Sequence, residues 1–279
     1  MEKTYCNPIV LPDYPTLRAK SSPAPRPDWG RAGKKLLTEA EVIQEVGTDL
    51  PDVQLLYKNV RNEEYGRIAE NDVRATADPT ACFWDGRWYL YTTSGVIYDY
   101  DETWMPLSAP MAPTVERFRG KYYASCNSTP LHVADSPLGP WREVGEWTLP
   151  DGRETLCNDP MIFADEDRLY LYWGLGSAIL GAELDPDQPN RFLTTPKVLI
   201  RFHPENWWER FGAANEDWEK GFIEGSWMKK IGNTYYLIYS CSGTEYFNYA
   251  MGAYVGDSPL GNFAPQKKNP VSRSREGFI

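Results

Sequence analysis

Four short runs carry the clearest alternation of apolar and polar positions: WYLYTT (88–93), KYYASC (121–126), RLYLYW (168–173) and TYYLIYS (234–240). Each is rich in aromatic and β-branched residues and is bounded by turn formers, which predicts strands rather than helices. From residue 77 onward no helix-period stretch of convincing length interrupts them, so this part of the chain reads as all-β. The earlier part differs. Pro12, Pro15, Pro23, Pro25 and Pro27 make residues 12–30 an extended loop. Thr38-Glu39-Ala40-Glu41 then reads as a capping box, with Val42, Ile43 and Val46 as an apolar stripe up to Gly47. That predicts one short helix within an insertion at about 12–70, in a chain expected to form a single catalytic domain over 1–279.

The strands belong to a repeat. ADPTACFWDGRWYLYTT from Ala77, MAPTVERFRGKYYASC from Met111, NDPMIFADEDRLYLYW from Asn158 and IEGSWMKKIGNTYYLIYS from Ile223 align on their second residues, Asp78, Ala112, Asp159 and Glu224. Eight positions later each has a turn residue, Gly86, Gly120, Asp167 or Gly232, and an aromatic strand follows. VADSPLGPW (133–141) and VGDSPLGNF (255–263) add a matching Ser-Pro-Leu-Gly turn further along two units. A hairpin, a further strand, a turn and another strand make a four-stranded blade, and such units in tandem predict a β-propeller.

In a propeller the innermost strands run alongside the axis in one direction, so equivalent residues lie at one height. Asp78, Asp159 and Glu224 are therefore expected to converge at one end of the channel, while Ala112 shows that the fold does not require an acid there. Crowded carboxylates raise at least one pKa. A raised acid suits proton donation and an ionised neighbour suits proton abstraction. Two such acids across a sugar ring, about 6.5–9.5 Å apart, can cleave a glycosidic bond with an attacking water between them. A cation site is the alternative use of clustered acids, but no EF-hand-like ligand spacing accompanies them. Asp85, Asp165 and Asp167 sit at hairpin tips, where solvated turn residues are expected.

Composition narrows the ligand. The 279 residues carry 29 Lys and Arg against 39 Asp and Glu, a formal charge of −10, which argues against nucleic acid and anionic membrane as partners. Aromatic residues make up 14% of the chain; most belong in a β core, and some suit a cleft for sugars, whose C–H faces are apolar. Five cysteines, at 6, 82, 126, 157 and 241, lack the spacing of a disulfide framework or zinc site. The first residues, MEKTYCNPIVLPDYP, carry no apolar leader, so a cytoplasmic protein is expected unless a leader was removed before secretion.

The motifs Ala77-Asp78-Pro79-Thr80, Asn158-Asp159-Pro160 and Ile223-Glu224-Gly225-Ser226, in that order, resemble those of glycoside hydrolase family 43 over about residues 71–270. The resemblance implies a five-bladed propeller that removes arabinose, xylose or related sugars with inversion. It also implies that Asp78 is the general base, Glu224 the general acid, and Asp159 the residue that raises the Glu224 pKa and holds it. Met111-Ala112-Pro113 stands where the family has Trp-Ala-Pro, so Met111 is a softer sugar platform. The family's fifth-blade Gly-His motif has no counterpart up to Ile279; the last blade is expected to be incomplete, with NPIVLP supplying at most a strand. A structural Ca2+ in the central channel is left open, and none is needed for the chemistry.

Further substrate contacts are expected from Asn127 and Ser177, each just past an inner strand, and from Trp207 and Trp208 in the insertion before Glu224. His132 reads as structural and His203 as surface. The expected activity is inverting exo-hydrolysis of plant cell-wall oligosaccharides, releasing α-L-arabinofuranose or β-D-xylose. The alternatives are a non-catalytic carbohydrate-binding propeller and a related galactosidase specificity.

Overall fold

The computed structural model describes residues 78–91, 96–98, 103–104, 112–127, 129–243 and 248–273; the expected helix near 38–47 and Met111 lie outside them. Within these residues, four antiparallel sheets of four or more strands follow one another, with two two-stranded ribbons between them along the chain. The first holds Thr80–Trp84, Arg87–Tyr91, Val96–Tyr98 and Thr103–Trp104, and the second Thr114–Phe118, Lys121–Ser125, Leu131–Ala134 and Arg142–Gly145. The third holds Met161–Asp165, Arg168–Trp173, Ala178–Leu184 and Lys197–Arg201. The fourth holds Ile223–Ile231, Thr234–Cys241, Ala250–Gly256 and Ala264–Pro265, with Ser272–Arg273 also pairing onto its third strand. The first strand of each sheet lies against the first strand of the next. That arrangement is a β-propeller, with each sheet a blade.

Burial follows from each blade's place in the series. RLYLYW of the third blade is buried at every position after Arg168, and KYYAS of the second at every position after Lys121, because both faces are covered by neighbouring blades. TYYLIYSC of the fourth blade alternates strictly, its Tyr235, Leu237, Tyr239 and Cys241 facing the third blade. In the first blade Tyr89 and Tyr91 pack toward the second, while Phe83 and Trp88 lie exposed on the other face. Three apolar cores result, one at each junction between successive blades.

The two Ser-Pro-Leu-Gly turns close alike, Gly139 N–H donating to Ser136 O at 3.0 Å and Gly261 N–H to Ser258 O at 3.1 Å. Each is also a lock. Tyr91 Oη donates to Pro137 O at 2.8 Å, and Tyr172 Oη donates to Pro259 O at 2.9 Å. Tyr91 pairs with Thr80 and Tyr172 with Met161, the same register position in the first and third blades. The second blade has Ser125 at that position, opposite Thr114, and the third unit has no such turn for it to meet. The turn and the tyrosine of the preceding blade are thus two halves of one contact.

Tyr91→Phe and Tyr172→Phe should each lower unfolding stability by about 1–2 kcal/mol, because each leaves a carbonyl without its donor. The locks join separate blade pairs, so the double variant should be additive within about 0.5 kcal/mol in urea unfolding.

Candidate active site

A single backbone feature delivers the acids. The residue two before each inner strand's first common ladder position is left-handed: Asp78 (φ 50°), Ala112 (φ 48°), Asp159 (φ 47°) and, in the fourth blade, Gly225 (φ 58°). Non-glycine residues adopt this conformation at a cost of about 1 kcal/mol or more, and Asp tolerates it better than most. The fourth acid therefore departs from the expected alignment. Ladder pairs 80↔91, 114↔125, 161↔172 and 227↔238 are equivalent, so Gly225, not Glu224, occupies the position of Asp78 and Asp159. Glu224 stands one residue earlier, opposite Ser240, at the place held by Asn158 in the third blade. The Gly232-Asn233 hairpin tip follows the same offset, Gly232 being the first tip residue where Gly86 and Gly120 are the second. The Gly225 N–H donates to Asp159 Oδ2 at 3.3 Å.

Asp159 joins the blades. Its N–H donates to Asn127 Oδ1 at 3.2 Å, and the next carbonyl, Pro160 O, accepts from the hydroxyls of Thr114 (2.8 Å) and Ser125 (3.1 Å) of the second blade. Burial pushes the Asp159 carboxyl up to about 6; the negative charge of Asp78 pushes the same way, and the Gly225 N–H opposes both. Asp78 and Asp159 therefore lie within one electrostatic field, as the repeat implies. Glu224 is half-buried, and its Oε1 accepts from Tyr249 Oη at 2.5 Å. Its strand start is pinned on the other side, where Ile223 and Gly176 exchange backbone hydrogen bonds of 2.8 and 3.0 Å.

The remaining candidates divide. Asn127 is half-buried and bonded to the backbone of Asp159, so it fixes an acid. Ser177 is exposed and follows Gly176, one residue from the bridge that holds Ile223. Trp208 is not a free wall: its ring is in the core between the third and fourth blades, and its Nε1–H donates to Tyr239 Oη at 3.2 Å. Trp207 is exposed, edge-on to Trp208 at 5.8 Å, with the Arg273 guanidinium 4.8 Å over its ring. Asp165 also differs from its expected solvated turn role. It ends the strand Met161–Asp165 and accepts from Lys230 Nζ and Tyr235 Oη of the fourth blade, which holds its carboxyl below the usual range against the effect of burial. His132 bonds Pro130 O through Nδ1, and exposed His203 pairs with Glu205.

Tyr249 was not legible as a site residue, since NYA before the strand Ala250–Gly256 carries no motif. Thr114 and Ser125 read as ordinary strand residues for the same reason.

Four residues further along the inner strands lies a second ring, Cys82, Glu116, Phe163 and Lys229, paired with Tyr89, Tyr123, Tyr170 and Tyr236 in turn. Burial pushes the Cys82 thiol up to about 12, and burial pushes Glu116 up to about 7 against its Arg117 and Ala164 N–H donors and the Lys229 charge. A protonated thiol, an aromatic ring, an ammonium and one carboxyl do not fit Ca2+, which takes several oxygen ligands. Among the described residues no group of three His, Cys, Asp or Glu is placed to hold a metal ion.

The model of glycosyl hydrolases family 43 matches residues 78–277. The chain belongs to that family. Family-43 enzymes of known structure are five-bladed β-propellers. A thermostable family-43 glycoside hydrolase superposes with a TM-score of 0.57 at 21% identity, over 72% of this chain and 75% of that one. An endo-1,4-β-xylanase from Bacteroides thetaiotaomicron gives 0.54 at 23% identity, over 71% and 74%. In sequence, the chain is 28% identical over 154 residues to a β-D-galactofuranosidase from Aspergillus niger, covering 53% of this chain and 40% of that enzyme. It is 27% identical over 178 residues to a β-xylosidase from Xylanibacter ruminicola, covering 53% and 51%. The chain thus spans about half the length, or less, of these curated relatives.

Because the folded site disfavours the ionised Asp159, that residue favours the folded state below the ordinary carboxylate pKa and loses this contribution as pH rises through about 6. Asp159→Asn lacks this titration. Its stability relative to the parent should rise between pH 4 and pH 7 by about 1–3 kcal/mol, read from urea unfolding at each pH.

Proposed function

We propose that this family-43 chain is an inverting exo-glycosidase that releases a terminal α-L-arabinofuranosyl or β-D-xylosyl unit from plant cell-wall oligosaccharides. The observation that carries the proposal is the coupling at Asp159: a half-buried carboxyl under the charge of Asp78, hydrogen-bonded to the residue after Glu224. A structural turn has no use for such a cluster, whereas paired acids of unequal protonation are what glycoside hydrolysis needs.

In this reading the exposed Asp78 takes a proton from a water on one face of the sugar ring. The water oxygen bonds to the anomeric carbon while the glycosidic C–O bond breaks on the opposite face, and Glu224 gives its proton to the departing oxygen. The anomeric configuration inverts because attack and departure occupy opposite faces. Asp159 keeps negative charge beside the donor, which favours a protonated Glu224 before the bond breaks. The xylosidase and galactofuranosidase named among the relatives support a pentose or furanose in the terminal site.

The test is hydrolysis of aryl α-L-arabinofuranoside, β-D-xyloside and β-D-galactofuranoside by the parent, Asp78→Asn and Glu224→Gln. One sugar should be turned over, and each variant should lose about 10²–10⁴-fold in kcat while retaining its melting midpoint within a few degrees. A folded parent that binds these sugars without turnover would favour a carbohydrate-binding propeller instead.

A further inference from the structure

Glu224 is gripped by a residue from outside its own hairpin. Tyr249 immediately precedes the strand Ala250–Gly256, and its Oη lies 2.5 Å from Glu224 Oε1. A phenol has one proton to give. That proton is donated to Glu224 Oε1. Ser240, directly across the ladder from Glu224, also interacts with the Tyr249 side chain. Burial and the Glu224 charge hold the phenol far from ionisation, so it remains a donor.

The grip is anchored in turn. Asn248, the preceding residue, is buried and donates through Nδ2 to Gly212 O at 2.9 Å and Ala213 O at 3.2 Å, in the insertion before Glu224. That insertion is fixed by Glu209, fully buried, which accepts from His203 N–H and Asn206 Nδ2 at 2.8 Å and from Tyr239 Oη. The segment 203–221 thus supports, through Asn248, the tyrosine that touches the acid.

We propose that Tyr249 is a positioning residue for the proton donor: by donating to Oε1 it orients the Glu224 carboxyl that gives its proton to the leaving oxygen. The proposal rests on Glu224 being the general acid. It makes the insertion a support for the catalytic acid rather than a sugar-binding wall.

The experiment separates this role from plain structural damage. For the sugar that the parent hydrolyses, kcat and KM are measured on two substrates with the parent, Tyr249→Phe, Ser240→Ala and Glu224→Gln. One substrate is a dinitrophenyl glycoside, whose leaving group departs without protonation. The other is the phenyl glycoside, whose leaving oxygen needs the proton. Tyr249→Phe should lose about 10- to 100-fold in kcat on the phenyl glycoside, with KM little changed, and no more than about 3-fold on the dinitrophenyl glycoside. Ser240→Ala should shift kcat in the same direction by less, and it keeps the question open to test if Tyr249→Phe does not fold. Equal losses on both substrates, or no loss on either, would overturn the positioning role. Failure of the underlying reading looks different: Glu224→Gln would then show no dependence on the leaving group.

Discussion

The contact between Gly225 N–H and the Asp159 carboxylate is the constraint from which the site follows. It spans two blades, so it forms only when their inner strands lie side by side in register. It is made from the left-handed residue at 225, with Glu224 just before it. It also brings the Asp159 carboxyl, already raised by burial and by Asp78, to the backbone of the next acid's strand. The propeller supplies this geometry at low cost. The same left-handed step opens the inner strand of every described blade, and the fold survives with Ala112 in that step, so acids there serve something other than folding.

Around this contact the blades are held by two devices of different reach. Apolar faces meet at each junction and give most of the stabilisation, since buried aromatic and aliphatic surface is the dominant favourable contribution to folding. The tyrosine-to-turn locks add direction. Tyr91 with Pro137 and Tyr172 with Pro259 each pin an outer turn to the preceding blade. The Asp165, Lys230 and Tyr235 cluster does similar work at the hairpin ends of the third and fourth blades.

Much of this was legible in the chain. Repeats with acids at matching places point to blades and to one end of an axis, because a propeller converts equal sequence positions into equal heights. The Asp78 and Asp159 relationship emerged that way. The Glu224 offset did not, because a one-residue shift is absorbed by a bulge between Glu224 and Trp227 and leaves no trace in the hydrophobic pattern. Trp208 was misplaced for a related reason: an aromatic in an insertion looks available until tertiary packing buries it against Tyr239. Asp165 looked like a tip residue because its partners, Lys230 and Tyr235, lie 65 and 70 positions away. Tyr249 and Asn127 act through long-range hydrogen bonds, which periodicity and motif spacing do not encode.

The measurement that bears most directly on this account is a carboxyl carbon NMR titration of Asp159, in the parent and in Asp78→Asn. The account predicts a midpoint near 6 in the parent and a lower one, still above the ordinary aspartate value because burial remains, once the Asp78 charge is removed. A midpoint that is the same in both proteins would contradict it, since the acids would then not share one field.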